Sequence, residues 1–156
     1  NTKYKYKTLI PCNQYGKYDN FSLYNSHLIP AIIRKIDLAI ETNSDVEIWG
    51  DGNARREFMY ADDLANAIFF VIEYYNQIMP IINIGLGYDY SINEYYQTIA
   101  NIMQYNGQFK HDINKPVGMK QKLLSINLQN KLGWEPKYSL EEGINKTIEY
   151  YKDNIK

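Results

Sequence analysis

"REFMYADDLANAIFFVIEYYNQIMPIINIG", residues 56–85, holds the alternation that decides the fold. "REFMY" (56–60) reads as a short strand, compact and rich in aromatic and apolar residues. "ADDLANAIFFVIEYY" (61–75) then places Leu64, Ala67, Ile68, Val71, Ile72 and Tyr75 at helical spacing on one face, with acids at the positive end of the helix dipole. "IINIG" (81–85) follows as a buried strand closed by glycine. Strand, helix and strand in this order predict a parallel α/β sheet.

Working upstream, "VEIW" (46–49) alternates like a strand and "GDGN" (50–53) is a turn. Ile29, Ile32, Ile33, Ile36 and Ile40 keep the three-and-four spacing of a one-sided helix, which tolerates Pro30 only in its first turn. His27 therefore stands at or before the helix start. A loop spans 14–24, and "KTLIPCN" (7–13) reads as a short buried strand, suited to the centre of a parallel sheet. Downstream, Ser91 with Glu94 and Ser139 with Glu142 form capping boxes ahead of two further helices. Their inward stripes are Ile92, Tyr95, Tyr96, Ile99 and Met103, then Leu140, Ile144, Ile148 and Tyr151. Between them lie "FKHDI" (109–113), a candidate strand, and "INLQNKLGWEP" (126–136), a short helix stopped by Gly133 and sealed by Pro136.

The bulk figures narrow the function classes. The 156 residues suffice for one domain with a core. With 17 basic against 18 acidic residues, a general basic face for nucleic acid is excluded. The single cysteine, Cys12, permits neither an internal disulfide framework nor a cysteine-based zinc site. No apolar stretch reaches the ~20 residues of a membrane span, and "NTKYKYKTLI" lacks the apolar core of a signal peptide. The expectation is a soluble, cytoplasmic protein. Its sixteen tyrosines carry no functional weight.

A self-contained dinucleotide enzyme needs a Gly-rich turn between strand and helix, where the backbone can approach a pyrophosphate. "GDGN" and "GLG" lack the third glycine and read as turns. No tyrosine is followed by lysine four residues on, the helical spacing at which the ammonium lowers a tyrosine's pKa for proton delivery. No metal-ligand pattern is present. What remains is a set of cations, Arg34 and Lys35, Arg55 and Arg56, Lys120 and Lys122, each beside a turn or helix end. Arginine's planar fork suits a diphosphate, although scattered surface cations are ordinary. Trp49 either stacks on a ring or fills core, and His27 either acts as an acid or base or serves a local hydrogen bond. On residues alone the reading is an α/β domain with an anion site.

Taken collinearly, "PCNQYGKYDNF", "NSHLIPAIIRK", "VEIWGDGNARREFMYADDLANA", "INIGLG" and "QKLLSINLQNKLGWEPKYSLEEGI" resemble the later half of the GDP-L-fucose synthase family, within the extended short-chain dehydrogenase/reductases. The resemblance runs from about Lys7 to Tyr151. "R-R-E-F-x-Y-x-D-D-L-A" is shared by many nucleotide-sugar enzymes, whereas "N-S-H-x-I-P-A" is the specific piece. The resemblance implies the last strands and helix of a Rossmann-like parallel sheet (7–13 and 61–85) joined to a small helix-rich substrate-binding domain (25–60 and 91–151). It implies that the NADP(H)-binding half, with its serine, tyrosine and lysine, is absent, so that the chain alone would be inactive.

The family converts GDP-4-keto-6-deoxy-D-mannose to GDP-L-fucose, by epimerisation at C3 and C5 and NADPH reduction at C4, and its members are homodimers. By resemblance His27 is the catalytic acid. Asn13, Lys35, Trp49, Arg56 and Lys122 hold the substrate, and Asn13, Gln14 and His27 touch the cofactor, most of which the absent half would bind. Cys12, Gln14 and Lys17 replace a threonine, a leucine and a proline of the family pattern, and "VGMKQKLLS" replaces "DGTPRKLLD". These departures leave open a reductase of another GDP-4-keto sugar, such as a 6-deoxy-heptose, or a non-catalytic GDP-sugar binding module.

Overall fold

The structure is a computed structural model that describes residues 5–156. Residues 1–4, part of the amino-terminal stretch considered above for a signal peptide, lie outside the described residues. In chain order the elements are β1 (Thr8–Pro11), β2 (Asn13–Tyr15), α1 (Leu28–Thr42), β3 (Val46–Trp49), β4 (Arg55–Arg56), β5 (Phe58–Tyr60) and α2 (Ala61–Glu73). They continue with β6 (Ile81–Ile84), β7 (Tyr90–Ser91), α3 (Ile92–Met103), β8 (Phe109–Asp112), β9 (Gln121–Lys122), α4 (Asn127–Leu132) and α5 (Leu140–Asn154).

Three strand pairs are parallel, β1 with β6, β2 with β5 and β3 with β8, as the alternation of strands and helices requires. A three-stranded sheet sets β4 between antiparallel β7 and parallel β9. "REFMY" is thus not one strand. It divides at Glu57 into β4 and β5, which join different sheets, and the buried Glu57 side chain is the pivot.

α1 begins at His27, which is extended at φ −71° and ψ 173°, and Pro30 falls in the first turn, where a missing N–H breaks no bond. Ile29, Ile32, Ile33 and Ile36 are fully buried as the spacing predicts. Ile40 is not: the reversal at Asn43, with a left-handed φ of 49°, returns Ser44 to the Ala39 carbonyl and leaves Ile40 outside. Both capping boxes form, and Gly133 ends α4 at a φ of 82°. β3 buries alternate residues, as its sequence predicts.

The larger core gathers α1, α3 and α5 over β3, with Ile33, Ile36, Tyr95, Ile99, Ile144 and Tyr151 at its centre. A smaller one joins Ala67 and Val71 of α2 to Ile82 and Ile84 of β6, closed by Trp134. Two expectations fail around it. β1 is largely exposed rather than buried, with Ile10 44% accessible, because only its Leu9 packs against this core. Ile68 and Ile72 of α2 face outward, because a two-stranded sheet offers room for only a narrow helical stripe.

Candidate functional site

Three cavities divide the residues picked out by resemblance. Asn13, Gln14 and His27 line the first, of about 500 Å³, together with Tyr15, Asp19 and Leu28. Lys122 lines the second, of about 480 Å³, with Asn13, Cys12 and Glu57. Lys35 and Trp49 line the third, of about 360 Å³, with Leu28 and Tyr96. Asn13 is common to the first two cavities and Leu28 to the first and third. Arg56 lines none of them, but the β4–β9 register sets it directly beside Lys122. Parallel partners present their side chains to the same face, so the two cations are neighbours.

At the mouth of α1 the His27 side chain is 81% exposed, and its Nδ1 stands 3.8 Å from the Asp19 carboxylate. It makes no side-chain cap, so the ring is not occupied by the local role that a helix entrance suggests. Two turns further along, Lys35 donates to the Glu47 carbonyl at 3.0 Å and lies 5.6 Å from the centroid of the Trp49 ring. Burial lowers the Lys35 pKa, and the Glu47 charge opposes that shift. A second ammonium, Lys115, lies 5.3 Å from the same centroid. Trp49 is 55% exposed on the outward face of β3 and donates from Nε1 to Glu47 at 2.8 Å, so it is not core.

Two of the paired cations turn elsewhere. Arg34 donates to the Tyr151 hydroxyl at 2.6 Å and pairs with Asp37, because successive helical residues point about 100° apart and Lys35 takes the cavity side. Arg55 is clamped by Asp89, with Nε to Oδ1 at 2.6 Å, while Arg56 faces the other way as strand alternation demands. Arg56 instead donates from Nη1 to the Arg55 and Met119 carbonyls.

Several polar residues that organise this region were not singled out from sequence. Glu57 accepts from the backbone N–H groups of Leu86, Gly87 and Leu124. Asp89 holds Arg55 and Gln121 across the three-stranded sheet. Buried Gln129 exchanges two hydrogen bonds with the Gly85 backbone, each 2.9 Å. The signal available for Glu57 is an acid directly ahead of the apolar run "FMY", a charge that burial penalises unless donors surround it.

Among the described residues no cluster of three or more histidine, cysteine, aspartate or glutamate side chains is placed to hold a metal ion. Cys12 is a poor nucleophile: burial, then the Glu57 charge, pushes its thiol up to about 12. In the first cavity Gln14 donates to the Cys12 carbonyl at 2.9 Å, while its Oε1 is buried without a donor among the described residues. An acceptor left in that state fits a ligand that carries an N–H, as a carboxamide does.

The family model described as the NAD dependent epimerase/dehydratase family matches residues 1–85, more than half of the chain. The chain belongs to this family. A GDP-L-colitose synthase from Yersinia pseudotuberculosis is 55% identical over 152 residues, covering 97% of this chain and 49% of that protein. A GDP-L-fucose synthase from Azorhizobium caulinodans is 49% identical over 149 residues, covering 95% and 48%. The chain spans about half the length of the curated relatives it matches. Among solved structures, a GDP-L-fucose synthetase from Naegleria fowleri superposes with a TM-score of 0.85 at 25% identity, over 95% of this chain and 46% of that one. A GDP-mannoheptose C4 reductase from Campylobacter jejuni with NADP bound gives 0.79 at 29%, over 94% and 52%. The resemblance to GDP-L-fucose synthases is thereby met, as is the α/β fold of the extended short-chain dehydrogenase/reductases. Among the described residues no helix is long and apolar enough to cross a membrane.

Proposed function

We infer that this chain is the sugar-nucleotide-holding later half of an NADP(H)-dependent enzyme that makes GDP-L-fucose from GDP-4-keto-6-deoxy-mannose. The observation that carries the reading is the sharing of cavity walls: Asn13 joins the His27 cavity to the Lys122 cavity, and Leu28 joins it to the one with Lys35 and Trp49. One extended ligand with a reacting sugar at His27 and a charged tail toward the cations suits that layout. In this reading residues 7–13 and 61–85 belong with the cofactor-binding sheet, and 25–60 and 91–151 form the substrate domain. The complete enzyme pairs as a cytoplasmic homodimer.

Protons beside a ketone are removable because the charge left behind spreads onto the carbonyl oxygen. Returning a proton from the opposite face inverts the carbon, and an imidazole that titrates near neutrality is suited to deliver it. His27, 3.8 Å from the Asp19 carboxylate, does so at C3 and C5, and the base that takes the departing proton falls to sequence outside this chain. Lys35, Arg56 and Lys122 draw the diphosphate, and Trp49, beside Lys35, lines the substrate pocket. Asn13, Gln14 and His27 would hold the nicotinamide end of the cofactor, which when bound supplies hydride to C4. The rest of the cofactor falls to sequence outside this chain.

The 55% identity to a GDP-L-colitose synthase favours a second reading in which the product is GDP-L-colitose. Colitose carries no oxygen at C3, so only C5 would be inverted. Turnover of GDP-4-keto-6-deoxy-mannose against its 3-deoxy counterpart by the full-length protein separates the two. For the mechanism, His27→Gln should slow solvent-deuterium incorporation next to the ketone by at least about 100-fold, with GDP-sugar binding retained. Unchanged incorporation would refute the role given to His27.

A further inference from the structure

We propose that Glu57 is a positioning residue for the GDP-sugar, an inference that rests on the functional reading above. Its carboxylate, 1% exposed, receives three backbone N–H groups. Oε1 takes Leu86 at 2.5 Å and Gly87 at 2.9 Å, and Oε2 takes Leu124 at 2.9 Å. Leu124 lies two residues beyond Lys122. The backbone carbonyl of Glu57 meanwhile accepts from Asn13 Nδ2 at 2.9 Å. One residue therefore fixes both the side chain common to two cavities and the short strand that carries the Lys122 ammonium.

The surroundings are shaped for a carboxylate. A Cβ at Gly85 would come within 2.5 Å of Oε1, so glycine there leaves the oxygen its room. Among the described residues Glu57 makes no ion pair, and every donor its carboxylate meets is backbone. A buried charge is weak evidence for stability, since apolar packing stabilises such a junction as well. A charge kept in the wall of the second cavity, bonded to the segment that carries Lys122, instead fixes where that lysine stands. Glutamine cannot replace it: with its single acceptor oxygen on Leu86 and Gly87, its NH2 would oppose the Leu124 N–H.

The test uses the full-length protein with GDP-4-keto-6-deoxy-mannose and NADPH. Glu57→Gln should raise KM for the GDP-sugar on the order of tenfold, with kcat and KM for NADPH held within about twofold. Glu57→Asp, which keeps two acceptor oxygens, should fall between glutamine and the native residue. In combination with Lys122→Met, Glu57→Gln should add little, because its effect is exerted through that lysine. An unchanged GDP-sugar KM, a loss confined to kcat, or full additivity with Lys122→Met would overturn the proposal. If Glu57→Gln does not fold, Glu57→Asp decides alone: a raised GDP-sugar KM supports the proposal and an unchanged one refutes it. If the unaltered protein binds no GDP-sugar, the functional reading fails and this inference falls with it. Binding that is present but indifferent to Glu57 overturns this inference alone.

Discussion

Replacing Asp37 by alanine should loosen the helix that carries both His27 and Lys35. The Asp37 side chain, 5% exposed, accepts from the Tyr151 hydroxyl at 2.7 Å and from Lys156 at 2.6 Å, with Arg34 at 3.5 Å. Tyr151 is itself fully buried, so alanine leaves a buried hydroxyl donor without its acceptor. That loss costs about 1–3 kcal/mol. The Lys156 pair is open to solvent and is left out of the sum. About 2 kcal/mol in a domain of this size lowers Tm by about 4–8 °C. Asp37→Asn keeps an acceptor for Tyr151 and should lose roughly half as much. Burial raises the Asp37 pKa, but the hydrogen bonds from Lys156 and Tyr151 outweigh it and hold the carboxyl below its usual 3.8. A depressed carboxyl contributes stability that is complete above the unfolded value and is lost as pH falls through the folded one. Calorimetry should therefore find a constant gap between native and Asp37→Ala from neutrality down to about pH 5, narrowing at lower pH. A Tm unchanged at pH 7, or a gap that widens in acid, would refute the reasoning.

Other outcomes follow from local geometry. Ser91→Ala and Ser139→Ala each remove a hydroxyl that caps a helix at its third backbone N–H, and each should cost about 1 kcal/mol by denaturant titration. The caps belong to different helices, so the double variant should lose close to the sum, and a marked shortfall would mean the two boxes are coupled. With its thiol pushed up to about 12, Cys12 should be alkylated by iodoacetamide at pH 8 at least about 100-fold more slowly than an exposed cysteine peptide. Labelling at the peptide's rate would show that burial does not protect it.

What could be read in advance was read from short-range chemistry. Both capping boxes, the Gly133 stop, the alternation of β3 and the position of His27 involve residues within a turn of one another, so their geometry follows from backbone physics alone. Ile40, Ile68 and Ile72 carry the right spacing yet face solvent, because periodicity names a stripe and not the width of what covers it. The division of "REFMY" was invisible for a different reason. The donors that hold Glu57 lie 29, 30 and 67 residues away, and nothing near position 57 announces them.

The fate of the cations shows the same boundary. Arg34 and Lys35 are equivalent in sequence, and so are Arg55 and Arg56. Which of each pair is held by a carboxylate or hydroxyl depends on Asp37 one turn along the same helix, and on where Tyr151 and Asp89 arrive from distant elements. The amino-acid order by itself determined the helices, the capping boxes of α3 and α5, the α/β class and the family motif that includes His27, because each is written in neighbouring residues. Only the tertiary structure decided where each cation turns, which acid becomes a buried junction, and which walls the cavities share, because those depend on contacts between segments far apart along the chain.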